Sequence, residues 1–390
     1  MRRVAYIHLS YFMSPVHEKR LQALAKGAYK AGIDSVDFIF INTISQGNKG
    51  LISYACPKPR IPILNYPGYL INRFKQIKEA VCLDAYDTVI LRYPNGDPSG
   101  ESFMKEHRII TEHHSTEIPE YRSHLSEKGS LSIKFMKLVR LGLEKRYGSR
   151  ILESAAGIIG VTNEIKIYEL GRISRFLPSC VIPNGITVDD ISFTGFKPFD
   201  GKRLDIVMMV SSMQPWQGLD RLVRSVCRYR GSVGISLHVL GNVKRENLPQ
   251  DVPDLSRIRL HGYMDRKNLD DVMKDMNLAF STLGLFRKNM EEACSLKTRE
   301  YTARGIPYVL GYEDPDLHFH EDQDHFFLPV ENSCLLIDMD RIIEFAMKMS
   351  RPDMRSNLSR HMRTYALANM DWSVKAEQYV RFTEQVYRVA

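Results

Sequence analysis

The chain has 390 residues, which is too long for one ordinary hydrophobic core and suits two domains. Hydrophobic residues make up 44% and charged residues 26% of the sequence, a globular balance that excludes wholesale disorder. The net charge of +8 indicates an anionic partner without distinguishing a nucleotide, a nucleic acid or a membrane surface. Residues 1–195 hold 26 basic and 19 acidic side chains, so the first half carries most of this excess.

Six scattered cysteines form no Cys-x-x-Cys pair, which argues against a disulfide framework or a zinc ribbon and favours a reducing compartment. No apolar run approaches the ~18 residues of a membrane-spanning helix. The start, MRRVAYIHLSYFM, lacks a small-residue cleavage site and predicts a first β-strand instead. We therefore expect a cytoplasmic protein, either free or at the inner face of the cell membrane.

Short β-branched runs alternate with amphipathic stretches along the first half of the chain. Strands are predicted at 4–9, 35–42, 88–93, 109–113 and 157–161. Helices are predicted at 17–30, 69–83, 132–149 and 165–170. This alternation is typical of βαβ units and a parallel sheet.

The second half repeats the scheme. Strands are predicted at 204–211, 235–240, 257–261, 278–281, 307–310 and 326–328, and helices at 218–229, 269–276, 297–303 and 342–349. The turn-rich segment 183–203 separates the halves, so we expect doubly wound α/β domains at 1–190 and 191–370 with a ligand cleft at the carboxyl ends of their strands. Residues 371–390 predict a helix that packs on the first domain.

Two glutamates, Glu292 and Glu300, lie in the segment MEEACSLKTREYTARGIPYV with seven residues between them. Ser295 is suited to cap a helix that Gly305 ends. The start of such a helix offers free N–H groups and a positive dipole end, which favour a phosphate. Glu300, about one turn inside, is placed to accept hydrogen bonds from a ribose diol, with Glu292 near a sugar on that phosphate. An isolated pair of this spacing is more often an ordinary set of surface charges.

This segment resembles the nucleotide-sugar signature of glycosyltransferase family 4, which has two glutamates seven residues apart, then a small residue, Gly, any residue and Pro. Further segments are similar to that family in the same order: GIIGVTNEI at 157–165, VIPNGI at 181–186 and QPWQGLDRL at 214–222. The block GLFRKNMEEACSLKTREY is similar to bacterial surface-polysaccharide members. The resemblance covers the chain from about residue 109 onward.

The resemblance implies an α/β, GT-B architecture of two Rossmann-like domains and a retaining sugar transfer from a nucleotide-diphosphate donor to a glycan or lipid-linked acceptor. It implies no metal or other cofactor, because helix N–H groups and cations hold the diphosphate. Glu300 would bind the ribose, Glu292 would act at the transferred sugar, and the backbone around Ser295 would hold the diphosphate. The donor-binding set comprises Glu300, Ser295, Leu296, Lys297, Arg287, Lys288, Gly218, Gln217, Ser211 and Asn184.

One departure from the family pattern concerns charge. The family usually places Arg and Lys six residues apart in the loop before Gly218, where this sequence has neutral Ser211 and Gln217. The charge that stabilises a leaving phosphate would then come from cations nearby in sequence, namely Arg287, Lys288 and Lys297. Otherwise catalysis is weakened or the donor is changed. Two other functions stay open: a non-catalytic GT-B-fold subunit that binds a glycan or a partner enzyme, and a sugar-nucleotide epimerase.

The acceptor side is predicted from IITEHHSTEIPEYR at 109–122. Its histidines follow a strand, at the end where α/β sites lie. The family places a histidine here near the transferred sugar, and position favours His113 as catalytic, with His114 as the alternative. Neighbouring side chains on a strand end point to opposite faces, so one of the two enters the site, or both are hydrogen-bonded loop histidines. Glu117 and His17 are assigned to the acceptor side or to solvent.

Residues 131–150 carry six basic side chains and one acidic side chain. A helical projection groups their apolar side chains on one side, at Leu131, Phe135, Leu138, Val139 and Leu143. Such a helix either makes peripheral contact with an anionic membrane or presents solvated charges above a packed face. No other segment approaches a basic stripe with interleaved aromatics, so we expect no nucleic-acid partner.

Three Asp-x-Asp triplets occur, at 314–316, 322–324 and 338–340. This pattern binds a metal in the other large glycosyltransferase fold. Acidic regions contain it often by chance, and nothing in the sequence orders the triplets around one site. We therefore predict no metal site.

Overall fold

The computed structural model describes residues 3–10, 15–42, 52–55, 68–126, 131–210, 213–252, 254–317 and 325–389. The chain forms two compact units, the first made of 1–183 and 372–390, the second of 184–371. The chain passes from the first unit to the second at Pro183–Asn184, at the start of the turn-rich segment and a few residues before the predicted position at 190.

The first unit is built on a parallel sheet with the strand order β3-β2-β1-β4-β5-β6-β7. Its strands are β1 (Val4–Leu9), β2 (Val36–Asn42), β3 (Ile52–Ala55), β4 (Thr88–Arg92), β5 (Ile109–His113), β6 (Gly157–Gly160) and β7 (Ser179–Val181). The strand order reverses between β1 and β4, as in doubly wound nucleotide-binding folds. The strand β3 was not predicted from the sequence.

Helices cover both faces of this sheet. They are α1 (Pro15–Lys30), α2 (Arg73–Ala80), α3 (Gly100–Glu106), α4 (Glu117–Ser126), α5 (Leu131–Glu153) and α6 (Asn163–Leu170), with a 3₁₀ turn at Leu83–Ala85. The helices α3 and α4 were not predicted; α3 has only 7 residues, too few turns to show a clear apolar period.

The second unit is built on a parallel sheet with the order β10-β9-β8-β11-β12-β13. Its strands are β8 (Arg203–Met209), β9 (Gly234–Leu240), β10 (Ile258–Gly262), β11 (Leu278–Phe280), β12 (Tyr308–Leu310) and β13 (Phe327–Pro329). Here the order reverses between β8 and β11. Two doubly wound sheets therefore occur in one chain, which confirms the predicted fold class.

The helices of the second unit are α7 (Leu219–Arg228), α8 (Arg266–Met273), α9 (Leu296–Arg304), α10 (Met339–Ser350) and α11 (Pro352–Tyr365), with a π-helical turn at Ala366–Met370. Short 3₁₀ turns lie at Val188–Asp190, Pro215–Gln217, Arg245–Asn247 and Leu285–Lys288. The last helix, α12 (Trp372–Val389), belongs to the first unit. This confirms the prediction that the C-terminal helix returns to that domain.

Each face of the first sheet has its own hydrophobic core, because alternate residues of a strand point to opposite faces. Ala5 and Ile7 of β1 join the core formed with α2, α3 and α5. Val4 and Tyr6 join the core formed with α1 and α12, to which α12 contributes Trp372. The C-terminal helix is therefore part of the first core rather than an appendage.

The approach of α12 to α1 depends on a glycine. A Cβ placed on Gly27 would lie 2.5 Å from the carbonyl carbon of Trp372, far inside van der Waals contact. We expect Gly27→Ala to lower the free energy of unfolding of the first unit by about 1–3 kcal/mol, because the two backbones must separate. The shift of the chemical-denaturation midpoint measures this loss.

Gly142, in the middle of α5, is the matched control. A Cβ there would meet nothing within 4 Å. Gly142→Ala should raise the free energy of unfolding by about 0.5–1 kcal/mol, because alanine is the better helix former. Equal effects of the two substitutions would contradict the close α1–α12 packing.

Candidate functional site

The helix α9 begins after Ser295 and ends at Gly305, which are the two positions that the sequence indicated. The Ser295 hydroxyl accepts a hydrogen bond from the backbone N–H of Lys297 at 3.3 Å. Gly305 has a φ of 77°, and its N–H donates to the carbonyls of Tyr301 and Thr302. The positive end of the α9 dipole therefore lies at Ser295, on the carboxyl side of β11.

The loop after β8 packs directly against the loop after β11. Gly218 has a φ of 74°, and a Cβ on it would lie 2.6 Å from the carbonyl carbon of Leu283. Next to it, the buried Gln217 accepts a hydrogen bond on Oε1 from Nζ of Lys297 at 2.8 Å. The Lys297 amine therefore contacts the neutral side chain that stands where the family pattern has a cation. Ser211, the other neutral position, lies outside the described residues.

Burial lowers the pKa of Lys297 to about 7. A lysine with this pKa is only partly protonated near neutral pH, because the charged ammonium loses hydration in its half-buried position. An anion at the start of α9 would favour the charged form. The protonation of the Lys297 amine therefore depends on whether an anion is bound at the start of α9.

Arg287 and Lys288, the other two cations of the predicted set, hold the loop after β8. Nη1 and Nη2 of Arg287 donate to the two carboxylate oxygens of Asp220 at 2.7 and 2.8 Å. Arg287 and Arg224 hold the pKa of Asp220 below its usual range although burial raises it. Nζ of Lys288 lies 5.4 Å from the centre of the Trp216 ring. The Arg287 charge is therefore compensated locally, whereas Lys297 forms no ion pair with any residue that the structure describes.

Glu300 is oriented by an arginine one turn further along α9. Its Oε1 accepts hydrogen bonds from Nε and Nη2 of Arg304 at 3.0 and 2.9 Å. Nη1 of Arg304 donates to Asp270 at 2.5 Å. The other oxygen of Glu300, Oε2, accepts no hydrogen bond from the residues that the structure describes. Glu292 is also half-buried, and its backbone forms a parallel bridge with Glu313.

A buried guanidinium fixes the start of α9. Nη2 of Arg299 donates to one oxygen each of Asp314 and Asp316 at 2.8 Å, and Nη1 donates to the other oxygen of Asp314. Nε of Arg299 donates to the carbonyl of Asn184 at 3.0 Å. The Asn184 amide in turn donates to the carbonyl of Cys294 at 3.4 Å. Arg299 therefore joins the segment before β8, the start of α9 and the loop after β12.

These contacts give two Asp-x-Asp triplets a structural role. Asp314 and Asp316 pair with Arg299, and Asp338 caps α10 by accepting from the N–H groups of Asp340 and Arg341. The triplet at 322–324 lies outside the described residues. Within the described ranges no group of three or more His, Cys, Asp or Glu side chains is arranged to hold a metal ion.

In the first unit the two adjacent histidines at the end of β5 have different surroundings. His113 is fully buried, with Nε2 3.0 Å from the Thr111 hydroxyl and its ring packed on Tyr93. Burial lowers its pKa well below the usual range. His114 keeps 16% of its side chain exposed, and its Nε2 lies 3.2 Å from Glu112. Of the two candidates, His114 is therefore the one that a bound molecule reaches without a rearrangement.

The remaining acceptor-side residues lie on the same unit. Glu117 starts α4 and accepts hydrogen bonds from the Asn95 amide at 2.5 Å and the Ser115 hydroxyl at 3.1 Å. Burial, reinforced by Glu144, raises the pKa of Glu117 to about 7, so it is half protonated near neutral pH. His17 lies in the first turn of α1 and is half-buried.

The predicted apolar side of α5 is only partly right. Val139 and Leu143 pack against the core together with Met136 and Tyr147, as a packed face requires. In contrast, Phe135 and Leu138 are exposed, at 62% and 54% of their surface, and Ile133 is exposed at 53%. The projection failed because the face that packs on the core is turned around the helix axis, by the angle of about one residue, from the projected face. Apolar and basic side chains therefore share the outer surface. Leu131 has no described side chain.

The sequence missed several residues around Glu112. This carboxylate accepts a hydrogen bond from Nη2 of Arg20 at 2.8 Å and from the hydroxyls of Tyr6 and Tyr379. Arg92 lies level with it on β4. The sequence did contain one signal for this group, because Arg92 is a charged residue at the end of the otherwise apolar strand β4. Nothing in the sequence near Tyr379 of α12 indicates its contact with Glu112.

Comparisons with known proteins give the fold a name. No protein-family model matches the sequence, and no curated protein sequence matches it. Among solved structures, a glycosyltransferase from Rickettsia africae is similar over 100% of this chain and 99% of its own, with a TM-score of 0.64 and 14% identity.

Two further solved structures show the same likeness. Anabaena HepE in complex with UDP and glucose has a TM-score of 0.57 at 10% identity and covers 98% of this chain and 100% of its own. The lipopolysaccharide outer core galactosyltransferase WaaB has a TM-score of 0.60 at 10% identity and covers 98% of this chain and 99% of its own. The chain therefore has the GT-B fold that its motifs resembled.

The low pKa of Lys297 predicts a specific pH dependence of stability. Between about pH 7 and its ordinary pKa of 10.5, Lys297 holds fewer protons in the folded than in the unfolded chain. The free energy of unfolding should therefore rise with pH in this window, by at most about 1.4 kcal/mol per unit, relative to Lys297→Met.

Denaturation curves of the two proteins at several pH values measure this difference. The exposed Lys202 supplies the control, since Lys202→Met makes the same substitution at a surface position. A constant difference between wild type and Lys297→Met across the window would show that the amine is not desolvated.

Proposed function

We propose that this protein is a retaining glycosyltransferase of cell-surface polysaccharide biosynthesis. It transfers a sugar from a nucleotide-diphosphate donor to a glycan or lipid-linked acceptor. The GT-B fold and the motifs of glycosyltransferase family 4 support this function. UDP and glucose bound to HepE support a nucleotide-sugar donor.

The observation that carries the proposal is the arrangement at the start of α9. Ser295 caps the helix, Leu296 is 51% exposed, and Lys297 reaches from the first turn to Gln217. Backbone N–H groups, a dipole end and a titratable amine therefore converge beside the point where the strand order reverses. This is the environment that a diphosphate requires.

Each donor group then has a partner in the second unit. The diphosphate lies against the backbone of Ser295 and Leu296, and its charge holds Lys297 protonated. As the bond between sugar and diphosphate breaks, Lys297 stabilises the leaving phosphate. Glu300 accepts hydrogen bonds from the ribose through Oε2, while Arg304 holds its other oxygen. Glu292 contacts the transferred sugar. His114 and Glu117, on the first unit, serve the acceptor.

The test begins with binding. UDP, and other nucleoside diphosphates in parallel, should raise the melting temperature, and the matching nucleotide-sugar should release its nucleotide when acceptor is supplied. Glu300→Gln should weaken nucleotide binding by about tenfold or more, because the ribose loses a charged hydrogen-bond partner. Glu344→Gln, at an exposed position of α10, is the matched control. If no nucleoside diphosphate stabilises the protein, the proposed function is wrong.

One observation favours a second function. Gln217 is neutral, and Arg287 is already paired with Asp220, so the site has fewer uncompensated cations than the family pattern. A GT-B-fold subunit that binds a glycan or a partner glycosyltransferase without turnover fits this. Tight donor binding without release of nucleotide, for any acceptor, would identify that subunit.

We also propose that α5 makes peripheral contact with an anionic membrane at the cytoplasmic face. Ile133, Phe135 and Leu138 expose more than half of their surfaces. The exposed lysine and arginine at 145 and 146 follow on the same helix. Apolar side chains that insert between lipids, beside cations that attract acidic headgroups, are typical of interfacial helices. No described helix is long and apolar enough to cross a membrane.

Vesicle sedimentation tests this contact. The protein should bind vesicles of phosphatidylcholine with phosphatidylglycerol and should bind pure phosphatidylcholine less. Phe135→Ser with Leu138→Ser should reduce binding by about tenfold or more, because each buried apolar side chain contributes about 1.5–3 kcal/mol. Phe176→Ser is the control, since Phe176 is 88% exposed in the loop between α6 and β7, away from α5 in the sequence. An equal loss in the control would mean that α5 has no special part.

A further inference from the structure

A polar layer closes the carboxyl end of the first sheet, on the face covered by α1 and α12. The register of the strands places His8 of β1 one position beyond the Ile7–Leu91 pair, and so level with Arg92 of β4. Arg92 is in turn paired with Glu112 of β5. Paired residues of parallel strands share a face of the sheet, so these three side chains point the same way. His17 and Arg20 join them from α1.

Among the described residues, Glu112 is the carboxylate at the centre of this layer, and it is already neutralised. Glu112 pairs with Arg20 at 2.8 Å and accepts hydrogen bonds from the hydroxyls of Tyr6 and Tyr379. His114 approaches its second oxygen at 3.2 Å. Arg20, the two tyrosine hydroxyls and His114 are therefore the close partners of Glu112, with which Arg92 makes no hydrogen bond or ion pair.

Arg92 is a second cation in the same layer without a close counter-ion. It is half-buried, and among the described residues it makes no hydrogen bond or ion pair within bonding distance. Burial and the charge of Arg20 lower the pKa of Arg92, and the carboxylates of Glu112 and Glu117 offset this only in part. A partly desolvated guanidinium beside another cation is costly unless an anion completes it.

Two histidines near Arg92, His8 and His17, each have a ring nitrogen that is free to donate a hydrogen bond within the described part of the chain. The ring centres of His8 and His17 are 4.8 Å apart. Their Nδ1 atoms are buried and have no hydrogen-bond partner within the described part of the chain, and only 3% of His8 is exposed. Burial and Arg92 lower the pKa of His17 to about 4 and that of His8 well below its usual range. Each neutral ring donates one hydrogen bond in the tautomer with the proton on Nδ1.

The position of this layer is that of a ligand site. It lies between β1 and β4, where the strand order of the first sheet reverses, and where doubly wound folds bind ligands. His17 is in the first turn of the 16-residue helix α1, whose positive dipole end faces the same region. Neutral histidines also suit a metal ion, but Arg92 and Arg20 beside them repel cations. An anion is therefore the ligand that fits.

We propose that Arg92, His8 and His17 bind a phosphate group carried by the acceptor. A phosphate presents several acceptor oxygens, enough for a guanidinium and two imidazole N–H groups together. This inference rests on the proposed function, because it names the class of acceptor as phosphorylated. The phosphate belongs either to a lipid carrier or to a soluble phosphorylated glycan.

Histidine ring signals in NMR spectra of the full chain test the site. Inorganic phosphate, farnesyl phosphate and glucose 1-phosphate are titrated separately, with farnesol as the uncharged probe. We expect saturable shifts of the His8 and His17 signals, assigned with His8→Gln and His17→Gln, and none with farnesol. Tighter binding of farnesyl phosphate assigns a lipid carrier, and tighter binding of glucose 1-phosphate assigns a soluble glycan.

Variants at Arg92 separate binding from folding. Arg92→Gln should weaken phosphate binding by about tenfold or more. Arg92→Lys should weaken it by less, since lysine keeps the positive charge but loses the paired N–H donors of the guanidinium. His17→Gln supplies a second variant if Arg92→Gln unfolds. Absence of shifts with all three phosphates, or equal affinity in a folded Arg92→Gln protein, overturns the inference.

The same samples distinguish this inference from the donor proposal. UDP binding at the second unit should be unchanged in Arg92→Gln. Phosphate shifts without UDP binding would refute the donor proposal and leave the phosphate site standing. UDP binding without phosphate shifts would refute the phosphate site alone.

Discussion

The reversal of strand order is the constraint on which both candidate sites depend. In each unit the chain leaves the central strand in one direction and later returns on its other side, so two neighbouring strands send their following loops apart. The gap between those loops exposes backbone N–H groups and strand-end side chains that elsewhere would be covered. In the second unit this gap brings Gln217 to Lys297, and in the first it brings His8 level with Arg92.

The two gaps hold charge in different ways. The second unit uses a helix start and an amine whose pKa burial has brought to about 7, so its positive charge is complete only when an anion is present. The first unit uses a guanidinium, which stays charged, and histidines that are neutral. The arrangement in the second unit suits a leaving group whose charge grows during a reaction, because the charge of the amine responds to that group. The arrangement in the first unit suits a ligand that is held throughout a reaction.

The elements that the sequence predicted well are those with local signals. The strands of both sheets are apolar runs bounded by turns, and α9 has a serine at its start and a glycine at its end. Of the elements it missed, β3 and α3 are too short to show a period, and their form depends on neighbours distant in the chain. The 14-residue α11 was also missed. The outer face of α5 was misjudged for a related reason. A helix with apolar residues around most of its circumference does not indicate which side packs.

The sequence by itself determined the two doubly wound sheets, the start of α9 and the place of Glu300 inside that helix, because hydrogen bonding in helices and strands responds to nearby residues. Only the tertiary structure decided which charges meet. Lys297 lies 80 residues from Gln217, and Tyr379 lies 267 residues from Glu112. It also decided that Asp314 pairs with a buried arginine and that His113 is enclosed while His114 is not. Pairing and burial depend on distances through space, and no spacing along the chain encodes them.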